Sequence, residues 1–270
     1  KERCNLIMKK YGIENIFNNI NSIGKNITDI DLLVIASPTF SHFKSIESFL
    51  SITDPGIILC EKPLSQDYKN SKKILDLCEK KNIKIISNFM RRSLPAMKSL
   101  CKKLKDNSDK KHDLIVKYTG CFKNNGSHFI DLMSFFYGNP TSVIMCSSSI
   151  QSNEYKTRAV LEYKNSVCSF IPLFSRQVID HELQIMTENF KIIITRAGRD
   201  MKIYSSLIDK DFKDAREYSN PSDVTTNYHE FQKYVYDDIF DSHRLNTILP
   251  NMCSAQQSIS NIKLIEELTR

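Results

Sequence analysis

Three short polar clusters carry the chemistry that this 270-residue chain could perform. Glu61-Lys62-Pro63 follows the apolar run Ile57-Ile58-Leu59-Cys60, which reads as a buried strand. Open parallel α/β sheets hold ligands beyond the carboxyl ends of their strands, so a lysine delivered there stands where chemistry is usually done. Burial would lower its pKa toward use as a base while Glu61 opposes that shift, and the sequence does not decide which wins. Pro63 stops the strand and restricts the conformation of Lys62. Ser37-Pro38-Thr39, with His42 just beyond, ends a second apolar run. In the third cluster, Asn124-Asn125-Gly126-Ser127-His128, the histidine is followed three residues later by Asp131 at a predicted helix start, which puts the two on one face. Asn124, four residues before His128, can reach the same space.

The elements that must position these clusters follow from periodicity. Residues 1–11 read as an amphipathic helix through Leu6, Ile7 and Tyr11, stopped by Gly12. Strands at 31–36, 57–60 and 83–88 alternate with helices at 41–50 and 68–80, which argues for a parallel sheet. After Arg91-Arg92 the pattern changes. A helix at 95–105, a strand at 114–119 and a helix at 127–137, closed by Gly138 and Pro140, lead into strands at 142–149, 157–163, 166–174, 182–187, 191–196 and 202–204. Tyr163 to Ser166 and Arg196 to Arg199 look like hairpin turns. Polar residues 209–224, a helix at 227–240 and a helix at 252–268 complete the chain. The fold class is therefore α/β plus α+β: a parallel sheet over residues 1–93, then a domain over 94–270 built on a large, mainly antiparallel open sheet flanked by helices. The last helix is expected to pack back towards the first domain.

Composition narrows the function. With 41% hydrophobic and 26% charged residues the chain is globular, and no apolar run approaches the roughly 18 residues of a membrane span. No secretory signal is visible, and the eight cysteines form no Cys-x-x-Cys pair, which points to reduced thiols in the cytoplasm. The net charge of +7 is spread along the chain and mixed with acids, so no nucleic-acid stripe is expected; its densest part, Lys102-Lys103-Leu104-Lys105, reads as a solvated helix end. The six histidines show no His-x-x-x-His spacing, so no metal site is expected.

Together the clusters resemble the Gfo/Idh/MocA family of sugar and polyol dehydrogenases, over nearly the whole chain. Ala36-Ser37-Pro38-Thr39-x-x-His42 matches the family's turn beside the nicotinamide, Glu61-Lys62-Pro63 its catalytic-lysine motif, and Asn88 to Arg92 its sixth strand. Gly126-Ser127-His128-Phe129-Ile130-Asp131-Leu132 with Gly138 matches its active-site helix, and Ser254 to Leu268 its closing helix. Many members carry an aspartate where this chain has Asn124; asparagine there resembles the branch acting on nucleotide-linked sugars or uronic acids. An amide cannot take a proton, so acid/base work falls on Lys62 or His128.

The resemblance implies a Rossmann-type first domain using NAD or NADP, with Ser37, Pro38, Thr39, His42, Glu61, Lys62 and Asn88 around the cofactor. It implies catalysis by Lys62 and His128, substrate contacts from Asn124, Asp131, Arg91 and Arg92, Asp131 orienting the His128 ring, and a sugar, polyol or nucleotide-sugar substrate. A homodimer or homotetramer through the second sheet is expected. One departure is large: the seven glycines hold no Gly-x-Gly-x-x-Gly spacing, and residue 1 matches the helix after the family's second strand. About 35 residues are missing against a complete βαβ opening, so the first sheet is expected to be truncated and dinucleotide binding impaired. Two rivals stay open at this point: a non-catalytic cofactor- or sugar-sensing member of the same fold, and, more weakly, a metal-dependent hydrolase.

Overall fold

A computed structural model describes residues 2–23, 29–151, 154–174, 178–212 and 214–270. Lys1, at the start of the expected first helix, Gly24 and Lys213 lie outside the described residues. In chain order the first elements are α1 (Glu2–Tyr11), β1 (Leu32–Ile35), α2 (His42–Leu50), β2 (Ile57–Glu61), α3 (Tyr68–Lys80) and β3 (Lys84–Asn88). Then come α4 (Pro95–Asp106), β4 (His112–Thr119), α5 (Ser127–Tyr137), β5 (Ser142–Gln151), β6 (Glu154–Tyr163), β7 (Ser166–Leu173), β8 (Glu182–Met186), β9 (Phe190–Thr195) and β10 (Asp200–Ile208). The last are β11 (Arg216–Tyr218), β12 (Ser222–Val224), α6 (Phe231–Arg244), β13 (Cys253–Ser254) and α7 (Ala255–Leu268).

β1, β2 and β3 pair in parallel, and β13 adds to β3 antiparallel. Strands covered on both faces are apolar throughout, which is why β2 shows no alternation. Its Ile58 and Cys60 face α2, α3 and the start of α7 through Ile46, Ile74, Ala255 and Ile259. Its Ile57 and Leu59 face the other way, onto Val235 and Ile239 of α6 and onto Met252. Two helices from the end of the chain thus cover the first sheet, where only the last was expected to pack back. Two helix starts are capped by side chains: Asp67 Oδ1 accepts from the Asn70 N–H at 2.8 Å before α3, and Ser254 Oγ accepts from the Gln257 N–H at 3.3 Å before α7.

The second sheet runs β11-β10-β9-β8-β4-β7-β6-β5, with β12 also on β10. It is antiparallel except where β4 and β7 run side by side from His112↔Ser166 to Thr119↔Leu173. Alternation is regular along β7, β8 and β9, and Leu161, Cys168, Phe170, Leu183, Ile185 and Ile192 turn inward onto α4, α5 and the end of α7. The opposite face carries Val160, Val167, Ile171 and Ile193, none of them fully buried. Three expectations are corrected. The polar stretch 209–224 contains two short strands that pair with β10. The helix expected at 227–240 begins at Phe231, after a 3₁₀ turn at Tyr228–Glu230, and runs to Arg244. The final helix begins at Ala255, because the residues before it pair with β3. No described helix is long and apolar enough to cross a membrane.

Candidate active site at the carboxyl edge of the parallel sheet

β2 delivers Lys62 to the carboxyl edge, where the Lys62–Pro63 peptide is cis. Its Nζ donates to Asn124 Oδ1 at 2.7 Å and to the Asn124 carbonyl at 3.3 Å, joining the two sheets across one cleft. Asn124 reaches it from a π-helical turn, Phe122–Gly126, that leads into α5. Such turns carry one residue more than an α-turn and often mark functional sites. This one requires glycine at its end, since a Cβ on Gly126 would lie 2.3 Å from the buried Phe122 ring. Ser127 Oγ donates to the Asn124 carbonyl at 2.6 Å and fixes the turn.

Burial lowers the Lys62 pKa to about 8; the Arg91 charge adds to the shift and Glu61 opposes it, which settles the direction that the sequence left open. Glu61 is held by the Asn88 amide, whose Nδ2 donates to its Oε1 at 2.8 Å. His128, half-buried and edge-on to Phe89, is pushed well below its ordinary pKa by burial and by Arg91, Lys62 and His181, so the ring is neutral at pH 7. A neutral imidazole beside a lysine of lowered pKa can share one substrate hydroxyl: one group takes the proton and the other holds the oxygen.

Not every expected residue faces this cleft. Ser37, Pro38 and Thr39 stay partly or fully open to solvent at the end of β1, with Ser37 Oγ accepting from Ser41 Oγ at 2.9 Å. His42 does not join them. It is 0% exposed, its Nε2 is 2.8 Å from the Ser37 carbonyl, and its Nδ1 is 3.2 and 3.3 Å from the carbonyls of Pro63 and Leu64. The ring ties the turn after β1 to the turn after β2 rather than touching a ligand. Asp131 does not orient His128 either. It is 1% exposed, and its carboxylate takes a bidentate pair from Arg92 at 2.7 and 2.8 Å and a third bond from Asn261 Nδ2 at 3.2 Å. Arg92, also 1% exposed, donates besides to Gln257 Oε1 and the Asp131 carbonyl, and the pair is sealed off from solvent on both sides.

Arg91 is placed differently. Its Nε donates to the Ala197 carbonyl at 2.8 Å, its guanidinium lies 5.9 Å from the Phe129 ring centre, and its buried Nη1 has no partner among the described residues. His181 stands near it, with Nδ1 accepting from the Thr119 N–H at 3.4 Å. Sequence reasoning missed His181 and Ala197. A histidine before a strand and an alanine in a hairpin turn carry no periodic signal, and only the sheet register brings them to α5.

A parallel sheet ending in Lys62, set against a larger sheet flanked by the helix that carries His128, makes a two-part α/β fold. Residues 1–89 match the family described as an oxidoreductase family with an NAD-binding Rossmann fold, and residues 116–270 match its C-terminal alpha/beta domain. The chain belongs to the Gfo/Idh/MocA oxidoreductases. No curated protein matches it by sequence. Among solved structures it is similar to a dehydrogenase from Clostridium difficile, with 16% identity over 97% of this chain and 85% of that one and a TM-score of 0.75. It is also similar to a UDP-N-acetylglucosamine 3-dehydrogenase from Acidithiobacillus ferrooxidans, at 12% identity, 99% and 85% coverage and a TM-score of 0.70. A 3-ketoreductase from Actinomadura kijaniata, a mutant in complex with TDP-benzene and NADP, gives 12% identity, 99% and 85% coverage and a TM-score of 0.75.

The family's cofactor is NAD or NADP, and the residues present fit its nicotinamide end. Lys62, Glu61 and Asn88 lie together at the sheet edge, and Asn88 Oδ1 is a buried acceptor with no partner among the described residues. The glycines hold no Gly-x-Gly-x-x-Gly cradle for the diphosphate.

Proposed function

We propose that the protein is an NAD(P)-dependent oxidoreductase acting on a secondary alcohol of a sugar, polyol or nucleotide-linked sugar, or on the matching ketone. The observation that carries this reading is Lys62 Nζ, 2.7 Å from Asn124 Oδ1 and with its pKa lowered to about 8, in the same cleft as neutral His128. The bound nicotinamide supplies the hydride acceptor or donor. Lys62 takes the hydroxyl proton in oxidation and returns it in reduction, His128 hydrogen-bonds the same oxygen, and Asn124 holds a neighbouring hydroxyl without titrating. Residues 1–93 serve as the cofactor unit, with Ser37, Pro38 and Thr39 along its open edge, and residues 94–270 as the substrate and assembly unit. The neighbours that carry UDP- and TDP-linked names support the nucleotide-sugar part of the reading. Lys62→Ala is expected to reduce turnover by about 10²- to 10⁴-fold, followed as nicotinamide absorbance; unchanged turnover would sink the assignment.

The half-exposed apolar face of the second sheet, with Val160, Val167, Ile171 and Ile193, supports a homodimer or homotetramer in the cytoplasm, where all eight thiols stay free. Light scattering should give a multiple of the chain mass. A clean monomer contradicts this part alone.

A further inference from the structure

Cys60, Pro63 and Leu64 flank Lys62 in sequence and close on a single atom, Nδ1 of His42. The Pro63 and Leu64 carbonyls lie 3.2 and 3.3 Å from it, and Cys60 Sγ lies 3.4 Å from it. Residues 60–64 therefore wrap around the ring with both flanks turned in, and Lys62, midway between them, turns out to Asn124. Cys60, Leu64 and the His42 ring are all fully buried, so water does not compete for these contacts. Among the described residues the Pro63 carbonyl has no other partner. The Leu64 side chain shares a core with Ile46 of α2 and Ile74 of α3, which anchors the far end of the loop.

The second ring nitrogen fixes this loop to the neighbouring turn. Nε2 is 2.8 Å from the Ser37 carbonyl, which can only accept, so Nε2 carries a proton. Nδ1 then has a partner in either state of the ring. Bare, it accepts the thiol proton of Cys60, which burial keeps on sulfur by raising the thiol pKa; protonated, it donates to the two carbonyls. Among side chains only histidine presents two such nitrogens on one rigid ring. Ser37 belongs to the turn after β1, where its Oγ also accepts from Ser41 Oγ, so a single side chain spans the turn after β1 and the loop that bears Lys62.

We propose that His42 is a positioning residue for the proton-transfer group: its Nδ1 folds residues 60–64 so that Lys62 points into the cleft, and its Nε2 sets that loop against the turn after β1. The purpose of this arrangement rests on the oxidoreductase reading above, and the arrangement itself does not. Lys62 keeps its pKa near 8 while the loop holds it half-buried against Asn124 and near Arg91. A freed loop lets Nζ reach water, and its pKa returns towards 10.5.

The pH dependence of Lys62 acetylation by acetic anhydride, read by mass spectrometry of the peptide that carries it, reports this pKa without cofactor or turnover. In His42→Gln the amide nitrogen falls near the place of Nε2 and leaves the loop unheld, so the midpoint should rise by about one pH unit or more. In His42→Asn the amide falls near the place of Nδ1 and donates to the Pro63 or Leu64 carbonyl, so the midpoint should stay within about half a pH unit of the wild type. Each variant removes contacts of a buried ring, and similar losses in thermal unfolding are all that a merely structural histidine predicts. Equal midpoint shifts in the two variants, no shift in either, or a shift in His42→Asn alone overturns the assignment. Should both variants fail to fold, Cys60→Ala carries the test, because it takes the thiol from Nδ1 and keeps the ring. Its midpoint should rise by about half a pH unit, and an unmoved midpoint overturns the assignment. Equal shifts in the two His42 variants with Lys62-dependent turnover intact reject the positioning only, and turnover indifferent to Lys62→Ala rejects the chemistry only.

Discussion

Arg91 and Arg92 are neighbours in sequence, equally buried from water to within a few per cent, and opposite in situation. Arg92 spends its guanidinium on Asp131, Gln257 and the Asp131 carbonyl, tying the turn after β3 to α5 and α7. Arg91 turns to the other side, donates Nε to the Ala197 carbonyl, lies beside the Tyr228 hydroxyl and keeps Nη1 without a partner among the described residues. The difference separates scaffold from site. A buried charge bonded to a carboxylate, an amide and a carbonyl from two other helices fixes the relative position of those elements, whereas Arg91, with no carboxylate in contact, does not. The scaffold arginine serves the site indirectly, because Asp131 lies one turn after His128 on α5 and the same ion pair fixes where that helix presents its histidine.

The largest expected effect breaks this comparison at its scaffold end. Arg92→Met leaves the Asp131 carboxylate buried with the Asn261 amide and the Cys253 thiol but no counter-charge in contact, and removing one partner of such a pair costs about 3–5 kcal/mol. Urea unfolding should therefore show a large fall in the midpoint. The double variant Arg92→Met/Asp131→Leu should recover much of the loss, because no charge remains to be desolvated. Arg91→Gln should cost far less, since it removes a buried charge that no carboxylate balances. If Arg91→Gln proves as destabilising as Arg92→Met, the division between the two arginines fails.

The sequence made one side of this comparison far more legible than the other. Apolar runs announced β1 to β3, helical spacing announced α3 and α5 at their observed bounds, and Glu61-Lys62-Pro63 pointed to the cleft. What stayed hidden depends on distant partners. β11 and β12 have three residues each and β13 two, so none carries a period; β10 and β3 supply their hydrogen bonds. The π-turn was invisible, although Gly126 against Phe122 is its cause. Two adjacent arginines look alike in a sequence because burial and counter-charge are tertiary facts. His42 was misread for the same reason: the ring expected beside the cofactor is sealed between carbonyls.

The smaller and sharper effects concern the lysine that Arg91 faces. A base must be unprotonated to act, so kcat/KM for oxidation should rise with pH through the Lys62 pKa, near 8. The two charged neighbours act on it with opposite sign. Glu61 favours the ammonium, so Glu61→Gln should move the midpoint to lower pH. Arg91 disfavours it, so Arg91→Gln should move the midpoint to higher pH even as the rate falls. The same field appears in stability. Lys62 has its pKa lowered on folding from 10.5, so its burial costs stability below about pH 8 and that cost is relieved as the pH rises towards 10.5. The relief should shrink in Arg91→Gln, because part of the shift is gone. A midpoint that does not move in Arg91→Gln would mean that its guanidinium does not face Lys62, and the two arginines would then differ in their partners but not in their purpose.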